Sequence, residues 1–345
     1  MKTKILDVTE LNPETMARVD EAAEILRNGG LVAFPTETVY GLGANALDPV
    51  AVKKIYEAKG RPSDNPMIVH ISRASELSQL TPKMSVEILK LVDAFWPGPL
   101  TLVLPKQKEV PEEVTGGLPT VGIRMPDDPV ALELIRKAGV PVAAPSANLS
   151  GSPSPTRPEH VMEDLEGKID VILRGGNCRI GIESTVLDMS TDVPTILRPG
   201  MIAPEDIQGI LRKKVEMDPA LLRREAWEDR SSVNLIQAPK SPGMKYTHYA
   251  PKASMTIFEG SRENVKKEIQ RAKEKNENLG NKVGVILFEE NDFVTAAQDF
   301  FARLRELDEE GADLILAGAL STNEAAGFAV MNRMMKAAGY HIVKV

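Results

Sequence analysis

The sequence predicts an α/β protein in two units, and three observations predict it. Through residues 1–215, short apolar runs rich in valine, leucine and isoleucine alternate with amphipathic stretches of helical period. Residues 216–252 then break the pattern: they are charged, carry Pro219, Pro239, Pro242 and Pro251, and hold no long periodic element. From residue 253 strand and helix patterns alternate regularly, which implies a small parallel, Rossmann-like sheet. A chain of 345 residues suits about two domains. The expected division is a domain over 1–215, a linker over 216–252 and a smaller domain over 253–345.

Each element has its own reason. Residues 15–28 put Val19, Ala22, Ala23, Ile25 and Leu26 near helical spacing, and Asn28-Gly29-Gly30 supplies the stop. Leu31 to Phe34 reads as a buried strand ended by Pro35. Asp48-Pro49 offers a cap and a first-turn proline, so 49–58 reads as a helix. Further helices are expected over 84–94 and 128–138. Strands are expected over 67–71, 100–104, 120–124, 141–144, 169–173, 184–189 and 194–197. In the second unit the strands are 255–258, 283–288, 314–317 and 341–345, with helices over 261–275, 294–309 and 324–337. That unit lacks a dinucleotide glycine fingerprint, and no Gly-x-x-x-x-Gly-Lys-Ser/Thr loop occurs in the chain, so nucleotide binding is not assigned to it.

Composition narrows the function. With 42% hydrophobic and 26% charged residues the chain reads as a soluble globular protein. Its longest apolar runs, Val140 to Ala144 and Val283 to Phe288, are too short to span a bilayer. The lysines at the start have no apolar region behind them, so no secretory signal is read and a cytoplasmic location is expected. The single cysteine, Cys178, permits no internal disulfide and no cysteine metal cluster, and nothing nearby in sequence activates it. His70, His160, His248 and His341 show no metal-ligand spacing. No dedicated metal site is therefore expected, and magnesium would arrive with a substrate's phosphates. A net charge of −7 argues against broad nucleic-acid binding and leaves room for a local basic pocket.

Two segments suggest where such a pocket lies. Lys59 and Arg61, one glycine apart, cannot share a helix face, and Pro62 pushes Arg61 out of helical geometry. Both cations are expected on an irregular loop, free to converge on one anion. Ser146 and Asn148 follow Pro145 among small residues, where a polyphosphate can approach the backbone. A cationic fork with a neutral hydrogen-bonding pair suits a nucleotide phosphate. Taken singly, each segment also fits a solvated loop or a polar turn. The run from Ser241 to Pro251 is rich in aromatic and polar groups, and reads either as a functional segment or as a plain linker that holds two tyrosines.

Four segments carry a resemblance. They are Pro35-Thr36-Glu37-Thr38-Val39-Tyr40-Gly41-Leu42-Gly43, Lys59-Gly60-Arg61-Pro62, Pro145-Ser146-Ala147-Asn148-Leu149-Ser150-Gly151, and Glu183-Ser184-Thr185-Val186 followed by Leu197-Arg198-Pro199-Gly200. In this order they resemble the YrdC-type family over roughly residues 10–210, and the remainder resembles the extra domain of that family's long form. The resemblance implies a twisted mixed α/β sheet with a concave cleft. It implies synthesis of threonylcarbamoyl-AMP from L-threonine, bicarbonate or CO2 and ATP, with release of pyrophosphate. The product would pass to a separate complex that modifies tRNA beside the anticodon.

The same resemblance implies residue roles. Lys59, Arg61, Ser146 and Asn148 would be the catalytic set. Thr38, His70, Arg124, Ser184 and the backbone of Ala144 would receive threonine. Asn65, Thr120, Ser154 and Arg198 would join Lys59, Arg61 and Ser146 on ATP. From the residues, not the resemblance, the proline-stiffened segment carrying Tyr246 and His248 reads as a lid that excludes water, with Tyr246 expected on the nucleotide when it closes. From the residues alone, Arg124 suits a carboxylate because a guanidinium grips it with two parallel bonds. By the same reading Thr38 also fits a satisfied strand end, His70 a core histidine, Arg198 a strand-edge cap, and Glu37 either a base or a solvated turn residue. Two other functions compete. One is an RNA-binding module without chemistry, against which stands an aromatic content of 4%. The other is a carbamoyl-adenylate-forming enzyme of the hydrogenase-maturation type, whose cysteine-rich zinc segments a one-cysteine chain lacks.

Overall fold

The structure, a computed structural model, describes residues 2–222, 239–241 and 248–345. The first unit is built on β1 (Lys4–Asp7), β2 (Val32–Phe34), β3 (Gly41–Asn45), β4 (Ile68–His70), β5 (Leu100–Pro105), β6 (Thr120–Arg124), β7 (Val142–Ala144), β8 (Val171–Arg174), β9 (Thr185–Asp188), β10 (Thr195–Arg198) and β11 (Glu216–Met217). They form one mixed sheet in the order β1-β8-β2-β3-β7-β4-β6-β5-β9-β10-β11. The mixed α/β expectation is met, and the sheet runs on through β11, just past residue 215.

Helix Pro13–Arg27 starts on Asn12, whose side chain accepts the N–H groups of Glu14 and Thr15, while the Thr15 hydroxyl receives the Asn12 N–H. Helix Pro49–Lys59 starts on Asp48 with proline in its first turn and ends at Gly60, which adopts φ 61°. Lys59 is therefore the last helical residue and is buried, not a loop residue as expected. Gly60 turns the chain out of the helix before Arg61. Helices Pro13–Arg27 and Pro129–Ala138 cover one face of the sheet through Val19, Leu26, Leu134 and Ile135. Helices Pro49–Lys59, Val86–Phe95 and Pro204–Leu211 contribute to the larger core on the other.

β3 was not foreseen. Its glycines hide the strand pattern, and packing explains one of them: a Cβ on Gly43 would lie 2.7 Å from Val142 Cγ1 and 2.8 Å from the Phe34 ring. β1 and helix Pro158–Leu165 were also missed.

The second unit has β12 (Ser254–Glu259), β13 (Val283–Ile286), β14 (Leu314–Gly318) and β15 (Ile342–Lys344), in the order β13-β14-β12-β15 with every pair parallel. Helix Arg262–Glu277 packs through Val265 and Ile269 in a small separate cluster. Helices Phe293–Glu309 and Ala325–Ala337 belong to a core that also takes in Val39 and Ile182 of the first unit. The contact is close. Gly181 has φ 84°, and a Cβ there would lie 2.3 Å from the Ala297 carbonyl oxygen. Two buried arginines cross it. Arg305 donates to the Pro153 carbonyl at 2.7 Å and to the Asp164 carboxylate at 2.6 Å, and Asp164 in turn accepts the Leu149 N–H at 3.0 Å. Arg333 reaches Glu183 at 3.0 Å.

Breaking a buried pair strands its partner. Replacing Arg305 with alanine is expected to lower unfolding stability by about 3–5 kcal/mol in chemical denaturation; an unchanged midpoint and slope would remove the clamp from this account. His160 makes a second prediction. Its Nδ1 accepts the Thr156 N–H at 3.3 Å. Burial first, then Arg305 and Arg157, lower its pKa from 6.5 to about 3. The unfolded chain thus takes up this proton first on acidification. The stability held in neutral His160 is complete above pH 6.5 and lost as pH falls towards about 3. His160→Gln should flatten the pH dependence of the melting temperature in that window, and equal slopes for both proteins would contradict the assignment.

Candidate functional site

The turn joining β2 to β3 carries the first group. The Thr36 hydroxyl accepts the N–H groups of Thr38 and Val39 at 3.2 Å each and donates to the Val39 carbonyl at 2.7 Å. That turn delivers the Thr38 hydroxyl to Arg124, whose Nη1 donates to it at 2.9 Å. Arg124 ends β6 and sits in register with His70, which ends β4. Its Nε donates to the Gly98 carbonyl at 3.2 Å. Glu37 lies 2.5 Å from Nη2, with both side chains at most 5% exposed. The contact is off the N–H direction, so it is an ion pair rather than an aligned hydrogen bond. The solvated turn glutamate of the sequence reading is thus a buried partner of Arg124.

His70 Nδ1 is buried and has no hydrogen-bond partner. Burial, then the Arg124 charge, lower the His70 pKa to about 3 and keep the ring neutral. The ring lines the cleft, with the backbone of Ile68 and Val142 beside it.

The second group gathers around the loop after β7. The Lys59 ammonium donates to the Ser146 carbonyl at 2.6 Å and also to the Asn148 carbonyl. The Ser146 hydroxyl donates to Asn148 Oδ1 at 2.5 Å, and Asn148 Nδ2 donates to the carbonyls of Leu149 and Ser152 at 2.7 and 2.9 Å. Arg61 Nη2 donates to the Pro66 carbonyl at 2.9 Å and the Asn65 carbonyl at 3.3 Å. Arg198 donates through Nε to the Ser184 carbonyl at 3.0 Å and through Nη2 to its hydroxyl at 3.1 Å. Ser184 also shares a bond of 2.8 Å with Thr101. Burial lowers the pKa of Lys59 well below the usual lysine range, and brings Arg61 and Arg198 to about 10.

One cleft joins these groups. Thr38, His70, Arg124, Ala144 and Ser184 line it, together with Arg61, Ser146 and Arg198. Lys59 and Asn148 stand behind Ser146 and hold its loop. Ser154 donates to Glu183, which does line the cleft, at 2.6 Å. Asn65 is buried with its Oδ1 unpartnered. Thr120 is not in this cleft; it borders a separate smaller cavity with Pro66 and Lys240. Tyr246 lies outside the described residues. His248 and Tyr249, just beyond it, line the cleft. Tyr249 is held at φ 67°, an unusual conformation for a side chain of its size, and its ring centroid lies 5.1 Å from that of Phe301. The adjoining Ala250 N–H donates to the Gly151 carbonyl at 2.9 Å.

Sequence reasoning gave no site role to Glu183 or Tyr249. A glutamate opening the Glu183-Ser184-Thr185-Val186 strand segment, and a second tyrosine beside His248, were the available signals. Cys178 is buried, and burial raises its thiol pKa well above the usual range, so it offers no thiolate. Among the described residues no three His, Cys, Asp or Glu side chains converge on a metal position.

Comparison with known proteins supplies the wider setting. A family model for Sua5, YciO and YrdC, described as "Telomere recombination", matches residues 24–200. A second, described as "Threonylcarbamoyl-AMP synthase, C-terminal domain", matches residues 202–339. A threonylcarbamoyl-AMP synthase of Bacillus subtilis is 47% identical, covering 100% of both chains, and one of Pyrococcus abyssi is 46% identical over 99% of this chain and 100% of its own. A crystal structure of P. abyssi Sua5 complexed with L-threonine superposes with a TM-score of 0.91 at 45% identity, covering 99% of this chain and 100% of that one. From these matches along its whole length, the chain is a two-domain member of the Sua5–YciO–YrdC family.

Proposed function

We propose that this chain is an L-threonylcarbamoyladenylate synthase, a cytoplasmic nucleotidyltransferase that combines L-threonine, bicarbonate or CO2 and ATP and releases pyrophosphate. Its product would go to a complex that modifies tRNA beside the anticodon. The observation that carries the proposal is the cleft in which Arg124, Thr38 and the unpartnered His70 Nδ1 meet a second set, Arg61, Ser146 and Arg198. The first set suits an amino acid: a guanidinium for the carboxylate, with a hydroxyl and a neutral ring nitrogen for the remaining polar groups. The second suits phosphates.

The reaction needs no covalent enzyme nucleophile. The threonine amine adds to CO2 with loss of a proton, or condenses with bicarbonate with loss of water, giving an N-carboxylate. A carboxylate oxygen of that adduct then attacks the α-phosphorus while the bond to pyrophosphate breaks. Positioning and neutralisation of charge on the departing pyrophosphate carry such a step. Arg61 and Arg198 meet that charge at the cleft wall, while Lys59 fixes the Ser146–Asn148 loop. Neutral His70 orients threonine, and His248 with Tyr249 excludes water from a labile anhydride. Magnesium would be held by the triphosphate, since Glu37 and Glu183 are each committed to an arginine.

Pyrophosphate release from magnesium-ATP and bicarbonate should require L-threonine, and Arg61→Ala should reduce it by about 10²-fold. Release that ignores threonine would remove the proposal. Glu37 gives a separate test. Glu37→Gln leaves Arg124 without its counter-charge and free to shift, and should raise the threonine KM about tenfold, since small misplacement of a positioning group is costly. An unchanged threonine KM would limit Glu37 to a role in folding.

A further inference from the structure

Arg333 is fully buried, belongs to the second unit, and touches the site only through other residues. Its Nε donates to the Glu183 carboxylate at 3.0 Å, its Nη2 to the Glu183 carbonyl at 3.3 Å, and its Nη1 to the Pro199 carbonyl. These two segments flank Ser184 and Arg198, and Arg198 ties them together from inside the first unit. Glu183 itself lines the cleft, its other oxygen accepting the Ser154 hydroxyl at 2.6 Å. Although burial opposes its ionisation, the Arg333 and Arg198 charges outweigh that cost and hold the carboxyl below its usual range. An ionised carboxylate thus stands in the wall of a cleft that must accept anions, and Arg333 balances it from outside the cleft.

We propose that Arg333 is a positioning residue of the nucleotide site, engaging Glu183 and Pro199 across the domain contact so that Arg198 stays free for the phosphates. This rests on the functional reading above. Without Arg333, the Glu183 charge falls to the cations still coupled to it, Arg198 at the cleft and Lys336 on the same helix as Arg333. Arg198 would be drawn off the phosphates, and an uncompensated negative charge would face them. The second unit is then part of the site's electrostatic construction.

The test is a double-mutant cycle on the full chain, reading the Kd for magnesium-ATP by calorimetry and threonine-dependent pyrophosphate release, with thermal unfolding as a control. Arg333→Met should weaken ATP binding about tenfold, the scale of one lost charge coupling. Glu183→Gln combined with Arg333→Met removes both charges and should recover most of that loss. Arg333→Lys, which keeps the charge, should fall between wild type and Arg333→Met. If the wild type binds ATP and the single and double variants are equally impaired or equally unaffected, Arg333 is structural only and the inference fails alone. Wild-type protein that binds no ATP and releases no pyrophosphate overturns the functional reading and this inference with it. Should Arg333→Met not fold, Arg333→Lys and the double variant decide: double-variant affinity no better than that of Arg333→Lys contradicts the proposal, and better affinity supports it.

Discussion

The structure turns on buried cations held by carbonyl groups. Lys59 donates to the carbonyls of Ser146 and Asn148, Arg61 to those of Asn65 and Pro66, and Arg198 to that of Ser184. Carbonyl dipoles satisfy N–H groups and fix geometry, but they do not cancel a full charge. Burial therefore lowers the pKa of all three, and the acids near them, Asp164, Asp64 and Glu183, offset that only in part. An incoming polyphosphate supplies what is missing. The arrangement costs stability in the empty protein and returns it as affinity.

Arg124 follows the opposite rule. It is paired with Glu37 and hydrogen-bonded to Thr38 and Gly98, so its neighbourhood is close to neutral before any ligand arrives. That suits a zwitterion, which brings no net charge, as the carbonyl-held cations suit a polyanion. One cleft therefore contains two electrostatic environments, one balanced and one positive. Their separation is set by which strands carry them, since His70 and Arg124 end neighbouring parallel strands while Ser146 and its loop follow β7.

The parts legible in the sequence are those with a local cause. Helix Pro49–Lys59 is announced by Asp48-Pro49, and the parallel second sheet by its alternating pattern. β3 is hidden because glycine carries no strand pattern, and the need for Gly43 comes from Phe34 across the hairpin and from Val142, far along the chain. Lys59 was misplaced because a helix that ends on its last useful residue looks, in sequence, like a loop that begins one residue earlier. The burial of Glu37 depends on Arg124, and that of Arg333 on Glu183; neither pairing has any local trace. For Arg333 the usable sign is an arginine one helical turn after Ala329 and Val330 and three residues before Lys336, on a helix that otherwise buries mainly apolar residues.

The phosphate end of the cleft, lined by Arg61 and Arg198, carries more positive than negative charge. Titrating the protein with pyrophosphate and, separately, with adenosine tests this directly by calorimetry. Pyrophosphate should bind with an affinity that falls steeply with added salt and is lost in Lys59→Met/Arg61→Met, while adenosine should bind weakly at any ionic strength. Adenosine binding as tightly as ATP, with no measurable pyrophosphate binding at low salt, would contradict it.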